Sequence, residues 1–116
     1  HDALPIYYAG AFPLWLAPVQ ATVLPLADRH LDAAQAVVAT LQAGGLRVTL
    51  DARVEKIGYK IREAQLQQIP YILVMGDREA AEGQVAVRSR RGGDLGARSV
   101  DQFLDDARRE VQQKGR

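Results

Sequence analysis

The sequence predicts one three-layer α/β domain, in which helices cover both faces of a central sheet. Two observations support this fold class. Short apolar or β-branched segments alternate with amphipathic helices, which is typical of a sheet that is parallel wherever a helix crosses over. With 116 residues and 47% hydrophobic composition, the chain is long enough to bury a core of its own.

The first part of the chain predicts a strand, a helix and a second strand. Residues 19–26 have the β-branched content of a buried strand. Asp28 is expected to cap a helix whose apolar side chains recur at spacings of three and four, namely Leu31, Ala34, Val38 and Leu41. The glycines at residues 44–45 end this helix, and a strand is predicted over residues 46–51.

A second helix is predicted near residues 55–67, with an apolar stripe beside a polar one. The apolar stripe consists of Ile57, Ile61 and Ala64. The polar, partly basic stripe consists of Lys56, Lys60, Glu63 and Gln67. Pro70 ends the helix, because the residue before a proline disfavours helical geometry. Residues 71–75 are almost continuously apolar, which indicates a strand buried on both faces.

The last part of the chain predicts an antiparallel hairpin and a closing helix. A turn at residues 76–77 precedes a strand over residues 84–90. Because side chains alternate along a strand, its valines and its arginines point to opposite faces: Val85, Val87, Arg88 and Arg90. After a turn at residues 92–93 and a short strand near Leu95, a capping box opens the final helix, with Ser99 and Gln102 as its members. The apolar stripe of that helix is Val100, Phe103, Leu104, Ala107 and Val111.

Residues 88–98 are the electrostatic outlier of the chain. They contain four arginines and one acid, Asp94, whereas the whole chain has 15 Lys and Arg against 14 Asp and Glu. Clustered cations attract polyanions such as nucleic acid, because local charge rather than whole-chain charge sets the attraction. The alternative is a basic hairpin that is only solvated.

Catalytic motifs are missing from the sequence. Cysteine is absent, which excludes disulfides and thiolate metal sites, and the histidines are limited to His1 and His30. No nucleophile elbow, Walker loop or metal-ligand spacing occurs, and His30 is expected to be a surface or capping side chain. No signal peptide or membrane-length apolar run is present, which favours a soluble protein of the cytoplasm. The missing catalytic motifs favour a protein that binds rather than catalyses.

Four stretches of the chain form a distinctive set. They are FPLWLAPVQ at residues 12–20, EKIGYKIRE at residues 55–63, IPYILVMGDRE at residues 69–79 and VAVRSRRGGDLG at residues 85–96. In this order and spacing they resemble the C-terminal anticodon-binding domain of threonyl-tRNA synthetases, which are class II aminoacyl-tRNA synthetases. The resemblance covers nearly the whole chain from Tyr8 to the final helix.

The resemblance implies a mixed sheet of about five strands flanked by three helices over residues 8–116. Residues 1–7 have no element signal and are expected to be a non-native or linker start. The implied partner is threonine tRNA, and the implied parent enzyme is a homodimer that attaches threonine to it. No cofactor is expected in this domain, because ATP, Mg²⁺ and Zn²⁺ belong to the catalytic part of such enzymes.

The resemblance also implies two base-recognising side chains, Glu79 and Arg88. Threonine anticodons share a middle guanine and a third-position uracil. A carboxylate can accept the two donors of an unpaired guanine, and a guanidinium can donate to acceptors on guanine or uracil. We expect the two side chains to face outward together at the edge of the sheet. The alternative is that they form an ion pair with each other, which would contribute only about 0 to 1 kcal/mol to stability.

Further positions follow from the same family pattern. Val54, Lys56 and Gln68 lie on the anticodon side, although family members have asparagine where Val54 stands and arginine where Gln68 stands. Four other cations are expected to contact RNA phosphates: Lys60, Arg62, Arg90 and Arg91. For Arg62, an equal alternative is that its aliphatic stem covers the edge of the core.

Other interpretations remain open. Trp15 and Tyr59 could stack on a base, but aromatics in such positions are more often part of the core. The domain could be a protein-interaction or dimerisation module that kept the fold and lost the RNA, because a fold does not dictate a function. A small nucleotide-binding enzyme is a third possibility, and it rests only on the glycine turn at residues 92–93.

Overall fold

The computed structural model describes residues 12–113, so the predicted non-native start at residues 1–7 lies outside the described part. This part of the chain contains five strands: β1 Ala21–Pro25, β2 Val48–Leu50, β3 Tyr71–Met75, β4 Gln84–Ser89 and β5 Gly93–Ser99. Within the same residues, four α-helices connect or cover them: α1 Leu31–Ala43, α2 Ile57–Leu66, α3 Asp77–Glu82 and α4 Val100–Gln112. Two 3-10 turns, Leu14–Leu16 and Asp28–His30, precede β1 and α1.

The five strands form one mixed sheet in the order β2-β1-β3-β4-β5. β1 pairs in parallel with β2 and β3, while β3–β4 and β4–β5 are antiparallel. The chain moves from β1 to β2 in one direction and from β2 to β3 in the other. Because such crossovers are right-handed, reversing the direction puts α1 and α2 on opposite faces of the sheet. The predicted α/β class with a mixed sheet is confirmed.

Each face of the sheet has its own hydrophobic core. On one face, α1 and α4 pack against the strands through residues such as Leu41, Phe103, Leu73 and Val87. On the other face, α2 packs through a smaller cluster of buried residues: Leu24, Ala64, Ile69 and Ile72. Helices on both sides of one sheet make the three predicted layers.

One helix was not predicted. The chain forms α3 where the sequence analysis expected only a turn at residues 76–77. The Glu79 carboxylate accepts a hydrogen bond from the Gly76 N–H at 2.8 Å, which satisfies a donor that the start of a helix leaves free. Gly83, with a φ of 66°, ends the helix. None of the six residues of α3 is buried, so no apolar periodicity announced it.

Of the two predicted helix caps, the one at Ser99 is confirmed and the one at Asp28 is wrong. The Ser99 hydroxyl accepts a hydrogen bond from the Gln102 N–H at 3.0 Å, as expected for the start of α4. The expected cap at Asp28 is wrong, because Asp28 begins a 3-10 turn and the ring of His30 accepts the Ala27 N–H at 3.1 Å instead. His30 is therefore a capping side chain, but it is buried rather than on the surface.

His30 connects this cap to α3. Its Nδ1 accepts from Ala27, so the proton of the neutral ring lies on Nε2, which donates to Asp77 at 2.5 Å. Arg29 donates two further hydrogen bonds to the Asp77 carboxylate, at 2.8 and 3.0 Å. The hydrogen bonds from Arg29 and then from His30 hold the pKa of Asp77 well below its ordinary value. The ion pair between Arg29 and Asp77 ties the turn before α1 to the start of α3.

Asp77 should make stability depend on pH in the acid range. A carboxyl group whose pKa is lower in the folded state stabilises the fold above its unfolded pKa of about 3.9, and this stabilisation is lost as pH falls through the folded pKa. We expect the difference in unfolding free energy between wild type and Asp77→Asn to be largest at pH 7 and to shrink below about pH 4. Urea unfolding at pH 7, 5 and 3 measures it. A difference that does not change with pH would contradict this assignment.

The first core should be sensitive to the loss of Phe103. Its ring is buried and meets the ring of Tyr71 edge-on, with 5.3 Å between centroids. Phe103→Ala is expected to lower the free energy of unfolding by about 3 to 5 kcal/mol, because the deletion leaves a cavity. Leu66→Ala is the matched control, since Leu66 is 70% exposed on α2 and its loss should cost little. Similar losses of unfolding free energy for both variants, measured by urea unfolding, would contradict the burial of Phe103 in this core.

Candidate nucleic-acid interface

A cavity of about 320 Å³ lies on the α2 face of the sheet, and we call it the Arg88 cavity. Its lining residues are Gln65, Gln68, Ile69, Ile72, Arg88, Ser89, Arg90 and Gly93. Arg88 reaches this face because Val85 and Val87 are buried in the opposite core and side chains alternate along β4. On β3, Ile72 is the residue that pairs with Arg88.

The Arg88 cavity combines an apolar floor with polar groups that both donate and accept. Ile69 and Ile72 belong to the core cluster beneath α2. Arg88 supplies a guanidinium, and Gln65 and Gln68 each supply an amide with two donors and an acceptor. Among residues 12–113, no ion pair or side-chain hydrogen bond engages the Arg88 guanidinium. Such a lining suits a flat ring with polar edges.

Gln68 lines this cavity from an unusual backbone conformation. Its φ is 60°, and within the described ranges it is the one non-glycine residue with a positive φ. Its carbonyl oxygen accepts a hydrogen bond from Arg90 at 2.7 Å. The second terminal nitrogen of Arg90 donates to the carbonyl of Phe12 at 2.6 Å. Both ends of the guanidinium are therefore used inside the domain.

The prediction that Arg90 contacts phosphate is corrected by this geometry. Arg90 is half-buried, and burial lowers its pKa below the ordinary arginine value. Its neighbour Arg91 is exposed, as is Arg62 on α2, so these two positions remain open to phosphate. Exposure of Arg62 also leaves little support for its role as a cover for the core edge.

Glu79 lies in a different place from Arg88. It lines a cavity of about 380 Å³, the Glu79 cavity, together with residues of α1 and the start of α4. This cavity is on the opposite face of the sheet from the Arg88 cavity, and one carboxylate oxygen of Glu79 already accepts from Gly76. The expectation that Glu79 and Arg88 face outward together is wrong. Their mutual ion pair is not formed either, as far as residues 12–113 are concerned.

Val54 and Lys56 lie on the loop between β2 and α2. Val54 is 92% exposed and lines a third cavity, of about 200 Å³, at the carboxyl ends of β1 and β2. Lys56 is exposed at the N-terminal end of α2. In open α/β sheets, ligands bind in the crevice outside the carboxyl ends of the strands, so this loop has a suitable position for a ligand contact.

A network of charged side chains that was not predicted from the sequence holds this loop. Arg53 donates to the Asp51 carboxylate at 2.8 and 2.9 Å and also to Glu63 on α2. These hydrogen bonds lower the pKa values of Asp51 and Glu63 and raise that of Arg53. The three residues are spread over 13 positions of the chain and share no motif, so only the folded loop brings them together.

Lys60 is the second cation whose phosphate role is corrected. The side chain is buried, with 4% of the residue exposed, and its ammonium donates to the carbonyl of Asp51 at 2.9 Å. A buried ammonium that donates to a backbone carbonyl stabilises the loop before α2 and is not accessible to an RNA phosphate. Lys60 and Ala64, one helical turn apart, are the buried residues of α2, and the contact of Lys60 with Asp51 lies outside the helix pattern.

The two aromatic candidates differ in exposure. Tyr59 is 47% exposed on α2, and its hydroxyl donates to Glu63 at 2.8 Å. The guanidinium of Arg53 lies 5.9 Å from the centre of its ring. The expectation that Tyr59 belongs to the core is therefore wrong, and its stacking on a base stays a prediction. Trp15 is half-buried in the 3-10 turn that precedes β1.

Residues 12–113 contain neither a metal-binding cluster nor a membrane-spanning helix. No group of three or more histidine, aspartate or glutamate side chains is placed to hold a metal ion in this part of the chain. None of the helices described here has the length and apolar composition needed to cross a membrane.

Comparison with known sequences gives one family. A family model described as the anticodon binding domain matches residues 20–110. The threonine–tRNA ligase of Syntrophomonas wolfei subsp. wolfei is 57% identical over 108 residues, which cover 93% of this chain and 17% of that protein. The threonine–tRNA ligase of Caldanaerobacter subterraneus subsp. tengcongensis is 56% identical over 108 residues, again 93% of this chain and 17% of the relative. The chain thus spans under a fifth of the length of these relatives.

Comparison with solved structures agrees. The RNA binding domain of threonyl-tRNA synthetase from Cryptosporidium parvum Iowa II superposes with a TM-score of 0.82 at 32% identity, covering 89% of this chain and 26% of that one. Prolyl-tRNA synthetase from Cryptosporidium parvum gives a TM-score of 0.79 at 18% identity, covering 89% of this chain and 22% of that one, which supports the fold alone. Together these matches confirm the resemblance drawn from the four sequence stretches.

Lys60 offers a test of the corrected geometry. Lys60→Ala removes the donor to the Asp51 carbonyl, so it is expected to lower the free energy of unfolding by about 1 to 3 kcal/mol. Arg62→Ala, two positions further along the same helix but exposed, should change it by less than about 0.5 kcal/mol. Urea unfolding of both variants measures the contrast. If Lys60→Ala unfolds at the wild-type urea concentration, the ammonium is not a buried support.

Proposed function

Because the chain belongs to the anticodon-binding domain family, we propose that it binds the anticodon loop of threonine tRNA as the C-terminal domain of a threonyl-tRNA synthetase. The observation that carries this proposal is the Arg88 cavity, in which two amides and a guanidinium that has no partner among residues 12–113 surround an apolar floor. The high identity to threonine–tRNA ligases supports the choice of threonine as the amino acid.

The chemistry of the Arg88 cavity matches an unpaired base. Bases in a tRNA loop can leave the stack and expose their edges, which bases inside an A-form helix cannot do. The guanidinium of Arg88 donates to the O6 and N7 of guanine or to a uracil carbonyl, and the amides of Gln65 and Gln68 can match either kind of edge. Arg88 forms no ion pair with the residues at positions 12–113, so no such pair has to be broken before it binds a base.

Glu79 has a separate role in this proposal. Arg88 and Glu79 line cavities on opposite faces of the sheet, so they would contact different bases or different parts of the loop. The second carboxylate oxygen of Glu79 can accept a guanine N–H while the first stays bonded to Gly76. Val54 offers its exposed side chain for apolar contact with a base, and Lys56 offers a charge for base or phosphate.

Non-specific affinity would come from the exposed cations. Arg62 and Arg91 are exposed and have no ion-pair partner within residues 12–113, so phosphate contacts are assigned to them and not to Lys60 or Arg90. Contacts to phosphate supply affinity and salt dependence but carry no sequence information. Base preference therefore has to come from the cavity residues.

Activity of the parent protein belongs to the same proposal. The match covers 17% of the threonine–tRNA ligases, and ATP-dependent attachment of threonine, with its Mg²⁺ and Zn²⁺, is assigned to parts beyond this domain. We likewise assign to the parent a homodimeric state and a cytoplasmic location, where tRNA is charged. The domain itself would contribute recognition of the tRNA and no catalytic residue.

Arg88→Ala should weaken base discrimination while leaving the fold intact. Binding to a stem-loop with a threonine anticodon is compared with binding to a stem-loop whose middle guanine is changed. We expect the variant to lose about 1 to 3 kcal/mol of the preference, because a bidentate base contact is removed. Fluorescence anisotropy at two salt concentrations measures both affinities.

Arg108→Ala is the matched control, because Arg108 is exposed on α4, on the face opposite the Arg88 cavity. It should retain the wild-type preference. Equal, weak binding of the wild-type domain to every RNA would instead favour a protein-interaction module with the same fold.

A further inference from the structure

Arg90 joins two backbone segments that are far apart in the sequence. One terminal nitrogen donates to the carbonyl of Gln68 at 2.7 Å, and the other donates to the carbonyl of Phe12 at 2.6 Å. The side chain is half-buried, in agreement with the lowered pKa of its guanidinium. Both terminal nitrogens of the guanidinium thus make hydrogen bonds inside the domain.

The turn that Arg90 contacts adopts a conformation that suits glycine. After α2, the Gln68 N–H donates to Gln65 at 3.0 Å and the Ile69 N–H donates to Ala64 at 3.1 Å. These two bonds form a Schellman motif with Gln68 in the left-handed position, at a φ of 60°. Glycine occupies such positions without strain, whereas a residue with a Cβ is strained there. A strained side chain in a candidate site suggests that the side chain itself is used.

The same turn sets the place of the Gln68 amide. Gln68 lines the Arg88 cavity together with Gln65 and Arg88, above the floor formed by Ile69 and Ile72. If the turn relaxed to negative φ, the Cα–Cβ direction of Gln68 would change and its amide would leave this position. The backbone of one residue therefore controls one polar group of the cavity.

We propose that Arg90 is a positioning residue for base recognition. By bridging the carbonyls of Phe12 and Gln68, it holds the left-handed turn that places the Gln68 amide beside Arg88. The ligand class is an unpaired base in an RNA loop, so this inference rests on the proposed function. It also ties the segment at Phe12 to the recognition turn, since one guanidinium holds both.

The main experiment compares four variants with the wild type: Arg90→Ala, Gln68→Ala, the double variant, and Arg91→Ala as the matched control. Each is titrated at two salt concentrations with the threonine anticodon stem-loop and with stem-loops changed at the middle or third anticodon base. Arg90→Ala and Gln68→Ala should each reduce the preference for the native loop by roughly three- to tenfold, because a single hydrogen bond is lost. The double variant should be no worse than the poorer single variant, since both changes remove the same contact.

Several outcomes would overturn the positioning role. Wild-type preference in folded Arg90→Ala would mean that the bridge is only structural. Equal weakening toward all RNAs, with a salt slope reduced by about one, would mean that Arg90 is a phosphate contact after all. Equal weakening toward all RNAs, with a reduced salt slope, is expected of Arg91→Ala instead. Absence of any preference in the wild-type domain would overturn the proposed function itself, which distinguishes the two failures.

A stability cycle tests the bridge without RNA. Gln68→Gly should raise the urea midpoint, because glycine adopts the left-handed turn freely. Arg90→Ala should then lower the midpoint less in the Gln68→Gly background than in wild type, because the turn no longer needs to be held. Equal losses in both backgrounds would overturn the claim that Arg90 holds this turn. Should Arg90→Ala fail to fold, Arg90→Lys retains a donor for one carbonyl and replaces it in both experiments.

Discussion

Alternation of side chains along β4 links the core of this domain to its candidate RNA surface. Val85 and Val87 are fully buried against α1 and α4, so the residues that alternate with them along β4, including Arg88, face α2. Arg88 consequently lies beside Ile72 on the neighbouring strand and close to the end of α2. A slip of one residue in the pairing of β3 and β4 would exchange valines for arginine in the core, and this penalty fixes the position of Arg88.

Some basic residues of the domain are committed to backbone carbonyls, whereas an external group is exposed to solvent. Lys60, Arg90 and Arg47 donate to backbone carbonyls, and Arg47 makes three such bonds to Trp15 and Ala17. These cations hold the loop before α2, the turn after α2 and the segment that leads into β1. The external group, with Arg62 and Arg91, remains open to polyanions. The composition of the chain therefore overstates the charge available to RNA.

Periodicity predicted most of the fold, because burial of a whole stripe leaves a repeated signal. Three helices, the parallel strands and the hairpin were recognised in this way. α3 was missed because none of its residues is buried. The left-handed Gln68 and the burial of Lys60 were missed for another reason: each depends on a carbonyl–donor contact with a residue outside its own pattern. The separation of Glu79 from Arg88 was missed because Glu79 lines a cavity beside α1 and α4 and Arg88 lines one on the α2 face, and motif spacing does not encode the face.

We expect an anticodon base to enter the Arg88 cavity. Side-chain NMR of the domain during titration with the threonine anticodon stem-loop tests it most directly. Large shifts are expected for the Arg88 guanidinium and the amides of Gln65 and Gln68, with little change at Arg108. Shifts confined to the face of α1 and α4, with the Arg88 cavity unperturbed, would contradict it.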